Sequence, residues 1–181
     1  MVNEGMLLFL SKESISEHIE YMYKIKAEIS IIEKSLPGIC AKSFAEIMKS
    51  KIDFECKKEL KEKYTDYLSH KLYFDSFALN DRPCPEIKRY YSSEDSFCYE
   101  MLEKSKSARG GFMYVTKEKM RGIRILHSSE SKDLFLRCSP LLALDLEEHS
   151  YFRDYGFKRE LYLRAAISRL NLSLLFVDER S

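Results

Sequence analysis

The stretch Pro140-Leu141-Leu142-Ala143-Leu144-Asp145-Leu146-Glu147-Glu148-His149-Ser150-Tyr151-Phe152 carries the pattern that decides the fold of this chain. An apolar run, Leu141 to Leu144, reads as a short strand and ends in an acidic, histidine-bearing turn. Asp145 and His149 are four residues apart, and a carboxylate and an imidazole at that spacing converge on one ion if the strand ends in a turn or short helix. D-x-x-x-H arises often by chance. With His18 and His70 added, three imidazoles and one carboxylate make an N3O set suited to iron, manganese or zinc. Taken singly, each histidine reads as an ordinary packed side chain.

Two further runs, Gly111 to Val115 and Gly122 to His127, read as strands joined in a hairpin across Thr116 to Arg121. Upstream, Ile15, Ile19, Met22, Ile25, Ile29 and Ile32 recur every three or four residues, which predicts one amphipathic helix from Ser11 to Leu36. Ser11 caps it and Pro37-Gly38 stops it. Ala41 to about Leu79 reads as one interrupted helix or two consecutive ones, with the Lys57 to Lys63 run on a solvated face. Asn80 to Pro85, with two prolines, marks a boundary. Pro85 to Tyr91 and Ser93 to Ser107 read as short helices, and Asp154 to Phe176 returns to a helical spacing. The predicted class is α+β: an N-terminal helical hairpin (residues 1–82), then a C-terminal α/β domain (83–181) with a small three-stranded antiparallel sheet.

Composition narrows the function. Among 181 residues, 30 Lys and Arg balance 29 Asp and Glu, so no field of one sign points to nucleic acid or an acidic membrane. The Met6 to Leu10 run is too short for a signal-peptide core or a spanning helix, and a cytoplasmic location is expected. Five cysteines, Cys40, Cys56, Cys84, Cys98 and Cys138, show no C-x-x-C pair and read as reduced, mostly packed thiols. P-loop, G-x-G-x-x-G, G-x-S-x-G and E-x-x-H patterns are absent, which argues against nucleotide binding, a serine hydrolase and a di-iron bundle. The chain has no Trp and no Gln.

The quoted stretch resembles the P-L-L-x-x-D-V-W-E-H-A-Y-Y signature of the iron/manganese superoxide dismutases. The likeness continues through Asp154-Tyr155, Arg159, Tyr162-Leu163 and Asn171. Leu10 to His18 is similar to that family's approach to its first metal histidine, Ser69-His70-Lys71-Leu72-Tyr73-Phe74-Asp75 to its N-H-T-F-Y-W-N block, and Arg109 to Tyr114 takes the place of G-S-G-W-x-W. The resemblance implies His18, His70, Asp145 and His149 as ligands of one iron or manganese ion. That ion would alternate between trivalent and divalent states while superoxide becomes dioxygen and hydrogen peroxide. It also implies a homodimer, through Glu148 and His149, in which Glu148 reaches the partner's ligand histidine.

Several positions depart from the family pattern. The Gln that hydrogen-bonds the bound solvent is missing; Asp66 stands where iron enzymes place it, and Ser129 to Ser131 lie near the manganese-type position. His127 is a candidate to reach that solvent instead. Met22 and Lys26 replace the gateway His and Tyr, and Phe152 replaces the Tyr that pairs with that His, so both partners of one hydrogen bond change together. Lys26 is then a candidate to attract the superoxide anion. Glu147 stands where the family has a Trp beside the metal, and either meets the ion's open position or turns outward to solvent. An inward carboxylate would lower the ion's potential. Two rivals to dismutation follow: a diverged metal-dependent oxidase or oxygenase on the same ligands, and a non-enzymatic dismutase-like interaction protein.

Overall fold

The computed structural model describes residues 8–40, 42–77, 84–118, 122–130 and 133–179. Helix α1 spans Lys12–Ser35, with the Ser11 hydroxyl accepting the Ser14 N–H at its start. Its buried face is Ile15, His18, Met22, Ile25 and Ile29, the spacing of one helical stripe. A short helix, α2 (Phe44–Lys49), opens on a reciprocal capping box between Ser43 and Glu46. Helix α3 (Phe54–Asp75) starts at Asp53, whose carboxylate accepts two backbone N–H groups. The region after Ala41 is therefore two helices, parted at residues 50–53.

Helices α1 and α3 pack as an antiparallel pair. Tyr21 meets Asp66, and Glu28 meets Lys63 further up α1 and further back on α3. Their far ends enclose a small core of Ile25, Ile29, Ile39, Ile47 and Leu60. Their near ends join a larger core that continues through the sheet and the C-terminal helices.

After a 3-10 turn at Pro85–Arg89, helix α4 (Glu94–Ser107) leads into the sheet. Strand β1 (Phe112–Glu118) is central, antiparallel to β2 (Gly122–His127) and to β3 (Leu142–Asp145). The β1–β2 hairpin thus turns after Glu118, and part of its tip lies outside the described residues, as do residues 80–83 of the expected boundary. A short helix, α5 (Leu134–Arg137), precedes β3.

The expected helix from Asp154 to Phe176 is three pieces: α6 (Phe152–Tyr155), α7 (Arg159–Ile167) and a 3-10 stretch, Leu172–Glu179. Gly156, at φ +53°, closes the first. The second is diverted by pairing: Leu170 bridges Phe77, and the Asn171 N–H donates to the Ser76 carbonyl at 2.8 Å. The Ser76 hydroxyl in turn accepts the Ala143 N–H at 2.7 Å. One serine at the end of α3 thereby fixes β3 and the C-terminal segment to the helical half. No described helix is long and apolar enough to cross a membrane.

Of the cysteines, Cys84 is buried, Cys56 and Cys98 are half-buried, and Cys40 and Cys138 are exposed, all as free thiols. Two of the five are therefore not packed: Cys40 lies on a turn after α1, and Cys138 is the extended residue that ends α5.

Candidate metal centre

Four elements bring one polar side chain each to a common point. His18 comes from the middle of α1, His70 from the last turns of α3, Asp145 from the end of β3 and His149 from the 3-10 turn Glu148–Ser150. The loop that delivers the last two is tied down at each step. The Leu146 N–H donates to the Gly111 carbonyl, the Glu147 N–H to Asp145 Oδ1 at 2.9 Å, and the Ser150 hydroxyl to the Glu147 carbonyl at 2.7 Å. The fully buried Tyr162 hydroxyl donates to the Asp145 carbonyl at 2.7 Å.

Asp145 Oδ2 lies 3.1 Å from His18 Nε2, 3.3 Å from His149 Nε2 and 3.7 Å from His70 Nε2. The Nε2 atoms of His70 and His149 are 3.2 Å apart. An ion bound at about 2.1 Å by each donor would separate neighbouring donors by roughly 3.0–3.6 Å. The observed spacings fall on or beside that range. His18, His70 and Asp145 are buried, yet His18 Nε2 and Asp145 Oδ2 have no well-aligned hydrogen-bond partner. Buried polar atoms left so are costly unless something else satisfies them. A cation at their meeting point does, and the residues fit one.

The electrostatics agree. Burial works to raise the Asp145 carboxyl, but the close approach of the His149 and His18 rings outweighs it and holds the group far below the usual carboxylate range. Burial lowers His18 despite Asp145, which favours a neutral imidazole, the form that binds metal. His70 is also pulled down by burial, but Asp66 and Asp145 together bring it above its ordinary value. Its Nδ1 faces the Asp66 carbonyl at 2.8 Å and Asp66 Oδ1 at 3.0 Å, so Nδ1 carries a proton and Nε2 is the ring atom turned toward the cluster. Aromatic rings wall the group: Tyr73 and Phe74 against His18, Phe112 against His70.

A cleft of about 740 Å³ opens onto His70 and His149, lined by Tyr21, Asp66, Ser69, Tyr114 and Glu147, with Lys58 and Lys61 also on its wall. Ser69 and Tyr114 share a hydrogen bond of 2.6 Å inside it. Burial pushes the Tyr114 hydroxyl to about 12, so it stays protonated at neutral pH.

The family model for the iron/manganese superoxide dismutases, C-terminal domain, matches residues 82–178. The chain belongs to that family. It is similar to a protein named Superoxide dismutase [Fe] from Aquifex aeolicus (strain VF5), at 26% identity over 183 positions, covering 94% of this chain and 84% of that one. The protein of the same name from Aquifex pyrophilus is 25% identical over the same shares. A third, from Cupriavidus metallidurans, is 29% identical over 109 residues, 56% of this chain and 55% of that one.

Of this dismutase-family chain's three other expected site residues, His127 and Lys26 lie apart from the four, and Glu147 lines the cleft that opens onto His70 and His149. His127 has both ring nitrogens engaged, Nε2 with the Gly110 carbonyl and Nδ1 with the Ser129 hydroxyl, each at 2.7 Å, so it holds the β2 end rather than reaching the centre. Ser131 lies outside the described residues. Lys26 stands eight residues, about 12 Å of helix, beyond His18. It borders a smaller cleft with Met22, Tyr67 and Phe74, its Nζ 5.8 Å from the Tyr67 ring, and none of the four borders that cleft. Glu147 takes the outward of its two expected courses. It is exposed and on the larger cleft, but its Oε1 accepts the Gly111 N–H at 2.6 Å, pinning the start of β1. Gly111 holds φ +71°, and a Cβ there would run into Ser128 Oγ. Phe152 is exposed and meets only the Phe157 ring edge-on among the aromatic contacts.

Sequence reading passed over Tyr21. It sits three residues after His18, one turn along α1, and its ring lies 5.1 Å from His70 and 5.2 Å from His149. That i,i+3 relation to a candidate ligand was the available signal.

Proposed function

We propose that His18, His70, Asp145 and His149 hold one iron or manganese ion and that the chain dismutes superoxide. The observation that carries this reading is the buried, unpartnered pair His18 Nε2 and Asp145 Oδ2, at ligand spacing from two further imidazoles. When bound, the ion supplies one-electron chemistry, taking an electron from one superoxide and giving it to the next.

The residues do the rest. Asp145 and three neutral imidazoles leave the site short of the ion's positive charge, so it retains attraction for an anion. Tyr73, Phe74 and Phe112 keep bulk water from the buried side. The cleft opens onto His70 and His149, where Tyr21, Ser69 and Tyr114 hold protons. His149 is 40% exposed at its side chain, beside exposed Glu148. A second copy of the chain would cover this edge, and Glu148 would reach across to the other copy's histidine, in a homodimer.

Superoxide consumption by protein reconstituted with iron or with manganese tests the proposal. Activity is expected with at least one metal and is abolished in His18→Ala. Equal rates for native protein and His18→Ala at equal metal would overturn it.

A further inference from the structure

The centre carries a side-chain relay that the metal-binding reading does not require, although the inference rests on that reading. On α3, Asp66 lies one turn before His70, and its Oδ1 is 3.0 Å from His70 Nδ1. Its other oxygen, Oδ2, accepts the Tyr21 hydroxyl at 3.2 Å from α1. Burial, then the Asp66 charge and hydrogen bond, push that hydroxyl to about 12, so it remains a donor. Tyr21 and Asp66 both line the cleft. The His70 Nδ1–H is shared between the Asp66 carbonyl, at 2.8 Å, and the carboxylate.

We infer that Asp66 and Tyr21 are a paired positioning device that sets how strongly His70 donates to the ion. A carboxylate on Nδ1–H makes Nε2 a more basic ligand and favours the more highly charged metal state. The Tyr21 hydroxyl draws charge from the same carboxylate and so moderates it. The two residues therefore act with opposite sign: losing the Asp66 charge weakens His70 as a donor, and losing the Tyr21 hydroxyl strengthens it. A purely structural contact between α1 and α3 has no such sign, because both losses would loosen the same pair of helices.

The test compares native protein, Asp66→Asn and Tyr21→Phe, each as full chain stripped of metal and titrated with Mn(II) and with anaerobic Fe(II). Midpoint potentials are then measured on the loaded forms. Asp66→Asn is expected to weaken binding by about 10- to 100-fold and raise the potential. Tyr21→Phe is expected to bind within about threefold of native or more tightly, and to lower the potential, on the sign of that ligand-basicity effect. Affinity of Asp66→Asn within twofold of native overturns the inference. So do potentials that move in the same direction in both variants.

A metal-free readout separates failure of the inference from failure of the site. The His70 Nδ1–H resonance is expected downfield in native protein, further downfield in Tyr21→Phe and upfield in Asp66→Asn. If native protein binds neither metal, the site reading falls and the inference with it. If native protein binds and the variants do not separate, only the inference falls. Should Asp66→Asn fail to fold, the direction of the Tyr21→Phe potential shift decides alone.

Discussion

Tyr162→Phe removes one oxygen from the support beneath the candidate centre and leaves the ring in place. Tyr162 is fully buried, stacked on Tyr151 at 5.1 Å and edge-on to Tyr155 at 5.7 Å, so phenylalanine keeps the packing. Its hydroxyl donates to the Asp145 carbonyl at 2.7 Å and lies 3.4 Å from both Tyr73 and Ser150. Burial and the Asp145 charge raise its pKa far beyond the ordinary tyrosine value, so it is a donor at every working pH. Removing it leaves a buried carbonyl one partner short, which costs about 1–3 kcal/mol. For a chain of this size that is a fall in Tm of roughly 2–12 °C. Urea unfolding should show a lower midpoint with an unchanged slope, since the surface exposed on unfolding is the same. A Tm within 1 °C of native, of order the smallest resolvable difference, would refute the assignment of this hydroxyl as the anchor of Asp145.

Other expectations follow from the same contacts. Ile47→Ala opens the small core between α1, α2 and α3, where Ile47 has no exposed surface, and should cost about 2–5 kcal/mol by chemical denaturation. Asp154 accepts the Ser11 N–H at 2.9 Å; burial works to raise its carboxyl, but the Ser11 and Ser14 contacts outweigh it and the net shift is downward. Its contribution is therefore complete above the unfolded value of about 3.9 and fades as pH falls through the lower folded value, so the stability gap between native protein and Asp154→Asn should shrink in acid. A gap that widens below pH 4, about the unfolded value, would reverse that sign. On the proposed homodimer, native protein should sediment as a dimer and Glu148→Ala should shift the profile toward monomer; a native profile that is monomeric at every concentration would contradict it.

Local patterns revealed what local physics decides. The isoleucine stripe of α1, its Ser11 cap, β2 and β3 stand where their spacing puts them, and β1 runs three residues further, to Glu118, into the expected hairpin loop. The C-terminal helix does not, because its end at Ile167 is set by backbone pairing of Leu170 and Asn171 with Phe77 and Ser76, some ninety residues away. No periodicity records such a partner. The candidate centre divides in the same way. Asp145 and His149 show as a pair by spacing, but their meeting with His18 and His70 depends on how α1 and α3 pack. Glu147 and Lys26 stand at family positions and His127 at a strand end, but each side chain's direction is settled by nearby backbone donors, helix rotation or a loop carbonyl. Tyr21 was missed because its partner, Asp66, lies on the other helix.

Metal content of the purified chain, measured beside that of Asp145→Ala, tests the central claim most directly. The account requires close to one iron or manganese ion per native chain and a large loss in the variant, because Asp145 Oδ2 stands within reach of all three imidazoles. Native protein with neither metal, or equal content in both proteins, would contradict it.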